Sequence, residues 1–158
     1  MLPDVTRILY ASDIQPGARP AFRTAVSLCG HYRSHITFLH VVEPIQGHAE
    51  RLVRSMMASD PSLKALHDDG LAHVQAQVLE RVERFRQQEL DEHSQLRDEQ
   101  VTARVEEGVP WKKILEVADE IDASVIVMGV RQHKVLLGET ASKVMHHSTR
   151  PVLVVPLL

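Results

Sequence analysis

Residues 125–155 read VIVMGVRQHKVLLGETASKVMHHSTRPVLVV. Val125–Met128 is a wholly apolar run stopped by Gly129, as a fully buried strand would be. Gly138 then opens a helix-like segment near Ala141–His147, and Pro151–Val155 (PVLVV) is a second apolar strand. The unit is therefore strand, glycine-framed loop, helix, strand. Such a loop is how chains build a phosphate cradle at a helix N-terminus. It is equally how they make a plain strand-to-helix turn.

The same alternation extends upstream. Arg7–Ala11 (RILYA) is a short apolar strand ending at Ser12-Asp13, and Ile36–Val42 (ITFLHVV) is a second, closed by Glu43-Pro44. Between them Pro20 suits a first helical turn, and Phe22, Ala25, Val26 and Cys29 form an amphipathic stripe. The stretch 47–62 gives no clear pattern, and Met56-Met57 in it reads as loop packing. From Leu63 to about Leu90, Leu71, Val74, Val78, Val82 and Phe85 mark a long surface helix. A polar connector, DEHSQLRDEQ, leads to Val101–Val105, whose strict alternation suits a half-exposed edge strand. Gly108-Val109-Pro110 turns into a helix with Trp111, Ile114, Leu115, Ala118 and Ile121 on its apolar side. The order β-α-β-α-β-α-β-α-β, with near-continuous apolar strands, calls for an α/β fold: a mostly parallel sheet with helices on both faces.

The 158 residues suffice for one domain with a full core, spanning 1–158. Net charge is −3 with histidines neutral, so no basic field points to nucleic acid or an anionic membrane. No apolar run is long enough to span a bilayer, and the N-terminus has no signal-peptide pattern. Cys29 is the only cysteine, which excludes an internal disulfide or a CxxC pair and fits a reducing cytoplasm.

Asp13 at the end of strand one, LHVVEP closing strand two, EEGVPWKKILEVADEIDASVIVMG and GETASKVMHHSTRPVLVVP together resemble the universal stress protein family. The resemblance covers nearly the whole chain, with Gly47–Gln100 generic. It implies a single Rossmann-like domain with a five-stranded parallel sheet. Some members bind ATP or AMP, with magnesium relevant only to ATP; others bind none and act as dimeric stress-response or regulatory proteins. Ligands of such sheets sit beyond the carboxyl ends of strands where connections diverge.

By resemblance that crevice lies between strands one and four. Ala11 and Asp13 would border it, Asp13 facing adenine or ribose, and the Val41 backbone would meet the adenine edge. The loop after Gly129, which ends strand four, would hold phosphate, with Gly138 opening the helix. Nucleotide-binding members carry a pattern close to G-x2-G-x9-G-[ST]. Here Gln132 replaces the second glycine, only five residues (HKVLL) separate it from Gly138, and Glu139 replaces the Ser/Thr. Ile14-Gln15 likewise replace the small residues expected after Asp13. Glu139 is stabilised by the helix dipole, by about 0.3–1 kcal/mol, and repels a phosphate offered to the same amides. Against it, Arg131, His133 and Lys134 bring cations to the loop, and Thr140 offers a hydroxyl one position late.

Two readings follow. The first is a cytoplasmic, non-enzymatic dimeric regulatory module with a degenerate nucleotide crevice and no cofactor. The alternative is a functional ATP- or AMP-binding member that uses the shortened basic loop. By resemblance the homodimer would pair through strand 151–155. Of the 10 histidines, adjacent His146 and His147 point about 100° apart on a helix and do not converge, so no metal site is expected. No nucleophile elbow or Walker loop appears, so no catalytic residue is expected, and at most slow ATP hydrolysis would accompany ATP binding.

Overall fold

The backbone ladder follows the apolar runs closely. A computed structural model describes residues 4–12, 17–32, 34–43, 48–89, 100–131 and 138–157. Its elements run β1 (Arg7–Ser12), α1 (Arg19–Tyr32), β2 (His35–Val42), α2 (His48–Ser59), α3 (Pro61–Glu89), β3 (Val101–Glu107), α4 (Pro110–Glu120), β4 (Val125–Arg131), α5 (Glu139–His147) and β5 (Val152–Leu157). The five strands form one parallel sheet in the order β3-β2-β1-β4-β5. β3 is an edge strand, in keeping with its alternating sequence.

The alternation of strand side chains splits the core in two. Ile8, Tyr10, Ile36 and Phe38 pack with Phe22 and Cys29 of α1 and with Val78, Val82 and Phe85 of α3. Leu9, Leu39, Ile126 and Met128 turn to the other face, against Ile114 and Val117 of α4 and Ala141 and Val144 of α5. Each fully buried aliphatic or aromatic side chain contributes about 1.5–3 kcal/mol. The sheet is thus covered on both sides, which is why its central strands carry no polar alternation. Cys29 is buried within the first cluster, and that burial pushes its thiol pKa up. A protonated core thiol is what the helical stripe implied.

Several boundaries differ from the sequence expectation. Residues 48–59, left unassigned, are the helix α2, which packs against α3; its Met56 is an exposed helix residue, not a loop packing residue. Gly129 does not end strand four: β4 continues to Arg131 because β5 runs alongside, pairing Gly129 with Val155 and Arg131 with Leu157. β5 itself begins one residue after Pro151 and extends to Leu157. The connector residues 91–99 lie outside the described residues.

At the amino ends of the strands, Arg150 fixes the turn before β4. Its guanidinium donates to the Ala123 carbonyl at 2.7 Å and to the carboxylates of Asp122 and Asp119 at 3.0 and 3.2 Å. Asp122 occupies a left-handed conformation at φ 52°, and Arg150 and Arg7 hold its carboxyl below the ordinary carboxylate range.

Candidate functional site

The connections from β1 and β4 diverge at the carboxyl edge, because β1 leads through α1 to β2 on one side and β4 leads through α5 to β5 on the other. Between them opens a cleft of about 400 Å³. β1 contributes Ala11 and Ser12; β2 contributes Leu39, His40 and Val41. Met128, Gly129 and Val130 of β4 form the next wall, and Gly138–Ala141 at the start of α5 close it. The volume lies within the usual range for small-molecule sites, roughly 300–1,000 Å³.

Five expected residues therefore come together at this cleft: Ala11, Val41, Gly129, Gly138 and Thr140. Asp13 lies outside the described residues, as do Gln132, His133 and Lys134. Arg131 is placed elsewhere. Its register partner Leu157 belongs to the α1 face of the sheet, and its Nη1 lies 3.4 Å from where a β-carbon on Gly17 would stand. Val130, one residue earlier, faces the α4–α5 side. A single-residue step along a strand reverses the face, so Arg131 points away from the cleft that Val130 lines.

The two glycines differ in kind. A β-carbon on Gly129 would stand 2.7 Å from Leu157 Cδ1 and 3.1 Å from Ala21 Cβ, so close packing requires glycine there. A β-carbon on Gly138 would meet nothing within 4 Å. Gly138 is the N-cap of α5 and has no side chain to accept from the first helical amides. Those amides start at the cleft wall.

The electrostatics of the wall are mixed. Glu139, in the first turn of α5, lines the cleft, but its Oε1 accepts from Lys143 Nζ at 2.7 Å and its side chain is 82% exposed. Lys143 holds the Glu139 carboxyl below its ordinary pKa, so the group stays ionised. Glu43 supplies a second carboxylate at the mouth. Among the described lining residues there is no lysine or arginine.

His40, Glu43 and Met128 were not among the expected site residues. His40 Nδ1 donates to the Ser12 carbonyl at 2.8 Å, since a carbonyl oxygen can only accept; this fixes the ring across β1 and β2 at the cleft. Their signal was positional: His40 and Glu43 flank Val41 within LHVVEP, and Met128 precedes Gly129.

Trp111 is half-buried on α4 and stacks on His147 at 4.9 Å, while the His146 and His147 rings meet at 89°. Among the described residues no group of three or more His, Cys, Asp or Glu is arranged to hold a metal.

Residues 5–156 match the sequence profile of the Universal stress protein family, and the chain belongs to that family. The fold is similar to that of UspA from Lactobacillus plantarum, at 22% identity and TM-score 0.63 over 98% of this chain and 99% of that one. It is also similar to a universal stress protein in complex with cAMP, at 14% identity and TM-score 0.62 over 99% and 100% of the two chains. A universal stress protein from Archaeoglobus fulgidus in complex with dAMP shares 15% identity at TM-score 0.54, over 94% and 96%. No curated protein matches by sequence. Among the described residues no helix is long and apolar enough to cross a membrane.

Proposed function

We propose that this universal stress protein is a cytoplasmic, non-enzymatic regulatory module, one domain over residues 1–158, that works as a homodimer and does not use ATP. The observation that carries this reading is the charge of the cleft wall: Glu43 and Glu139 line it, while Arg131 faces the other side of β4. A triphosphate offered to the start of α5 would meet two carboxylates. The dipole of that helix is worth only about 0.3–1 kcal/mol per charge at an exposed end. Among the described residues the mouth carries two acids and no lysine or arginine, which disfavours a polyphosphate. The dimer rests on β5, an edge strand whose Leu153 is 37% exposed.

A second reading has its own support. Lys143 draws the Glu139 carboxylate outward, and the two nucleotide-bound relatives hold cAMP and dAMP, each with one phosphate. A crevice of this charge suits an adenine mononucleotide better than ATP. Calorimetry with ATP, AMP and cAMP on the wild type and on Glu139→Ser separates the readings. The regulatory reading expects no heat from any of them with the wild type, and a gain with Glu139→Ser. Heat from AMP or cAMP but not ATP selects the mononucleotide reading. Tight ATP binding by the wild type overturns both.

A further inference from the structure

The five strands are parallel, so the chain between β2 and β3 must return from the carboxyl edge of the sheet to its amino edge. α3 makes that return and is too long for it. Its 29 residues span about 44 Å, whereas the 7 residues of β3 span about 23 Å. The excess lies at one end. Val78, Val82 and Phe85 are buried against the sheet, while none of the residues from 51 to 77 is buried. The first half of α3 therefore overhangs the carboxyl edge, where the β1–β4 crevice opens. His67 marks the crossing: its Nε2 donates to Oε2 of Glu107, the last residue of β3, at 2.7 Å.

α2 stands on this overhang, and within the chain it packs against α3. Leu52 and Met56, one turn apart on one helix face, are 63% and 47% exposed. The joint between the two helices is a single residue. The Asp60 amide donates to the Met56 carbonyl at 2.9 Å and closes α2, while Asp60 Oδ1 accepts from the Ser62 amide at 2.9 Å and caps α3. Pro61 has no N–H to carry the ladder across. Rotation about the φ and ψ of Asp60 thus leaves both helices whole. The other end of α2 is tethered at the crevice. Glu43 lines the mouth and His48 begins α2, so covalent geometry keeps them within about 18 Å of each other.

We infer that α2 is a lid for the β1–β4 crevice, swinging at Asp60 to lay Leu52 and Met56 across the mouth while the His67–Glu107 bond holds α3 in place. The dimensions match. From β2 to β4 the mouth is about 10 Å wide, and the 12 residues of α2 span about 18 Å. The surfaces match as well, because Val41, Ile114, Met128 and Val130 give the crevice an apolar lining. Closure of such a lid shuts water out of the site. The lid is independent of which ligand the crevice takes.

Disulfide trapping tests this with no ligand present, so its outcome is separate from that of the nucleotide titrations. Cys29 is buried, so in the full chain carrying Met56→Cys and Glu139→Cys the two new thiols are the ones that oxidise. A disulfide needs Cα atoms within about 7 Å. No described residue of α2 lines the crevice in this structure, so a bridge reports closure. Mild oxidation at low protein concentration, read by non-reducing gels and peptide mass spectrometry, should find the 56–139 bridge within one chain. It should form roughly tenfold faster than the bridge in the Leu79→Cys, Glu139→Cys control, whose first position lies on the half of α3 that covers the sheet. Asp60→Ala with Pro61→Ala fuses the helices into one rod and should slow trapping severalfold, with helix content by circular dichroism unchanged or raised. Trapping no faster than in the Leu79 control, or undiminished by the fused joint, would overturn the inference.

Discussion

Replacing Gly129 by alanine separates a packing glycine from a phosphate-loop glycine. The added methyl would stand 2.7 Å from Leu157 Cδ1, 3.1 Å from Leu157 Cγ and 3.1 Å from Ala21 Cβ. Favourable carbon–carbon separations are about 3.5–4.0 Å, so all three contacts are too close. Leu157 is buried and cannot swing into solvent, and Ala21 is held on α1. The local structure must shift, and overpacking of this kind costs about 1–3 kcal/mol. Urea denaturation should show a lower midpoint with an unchanged slope. In a Leu157→Ala background the cost of the methyl should fall but not vanish, since the Ala21 contact remains. A double-mutant cycle then reports a coupling of about 0.5–3 kcal/mol. An unchanged midpoint for Gly129→Ala, or equal costs in both backgrounds, would refute the packing argument and return Gly129 to a purely ligand-facing role.

Other perturbations test separate parts of the structure. Arg150→Met removes the donor to the Ala123 carbonyl and the partner of Asp122, and should destabilise the fold by about 1–2 kcal/mol in the same denaturation assay. Arg150 and Lys143 lower the carboxyl pKa of Asp122 and Glu139, so the stability from these pairs is full above the ordinary carboxylate range and is lost as pH falls through the lowered values. Carboxyl NMR titration of Lys143→Met should accordingly find Glu139 moved up towards its ordinary value of 4.5. Light scattering should find a dimer for the wild type and a monomer for Leu153→Glu; a monomeric wild type would remove the proposed role of the β5 edge.

The sheet was legible because its strands are apolar runs that no helix period explains, and parallel strands buried on both faces need such runs. β1 and β2 fall within a residue of the RILYA and ITFLHVV segments. The carboxyl end of β4 was not legible. Gly129 reads as a breaker, yet β5 beside it supplies hydrogen-bond partners as far as Arg131. That two-residue difference decided the site, because it fixes on which face Arg131 emerges. α2 was overlooked although Ala49, Leu52, Val53, Met56 and Met57 recur at helical spacing; Leu52 and Met56 are exposed in the fold, and the helix packs against α3. The Glu139–Lys143 pair has the spacing of a helical ion pair, but only the fold shows that it borders the cleft.

The central claim is that the crevice does not serve ATP. The most direct measurement denatures freshly purified protein and reads the supernatant for adenine absorbance, then titrates the stripped chain with magnesium-ATP. The expected result is no co-purifying nucleotide and no binding heat at millimolar ATP. One equivalent of ATP carried through purification, or micromolar affinity on titration, would contradict it.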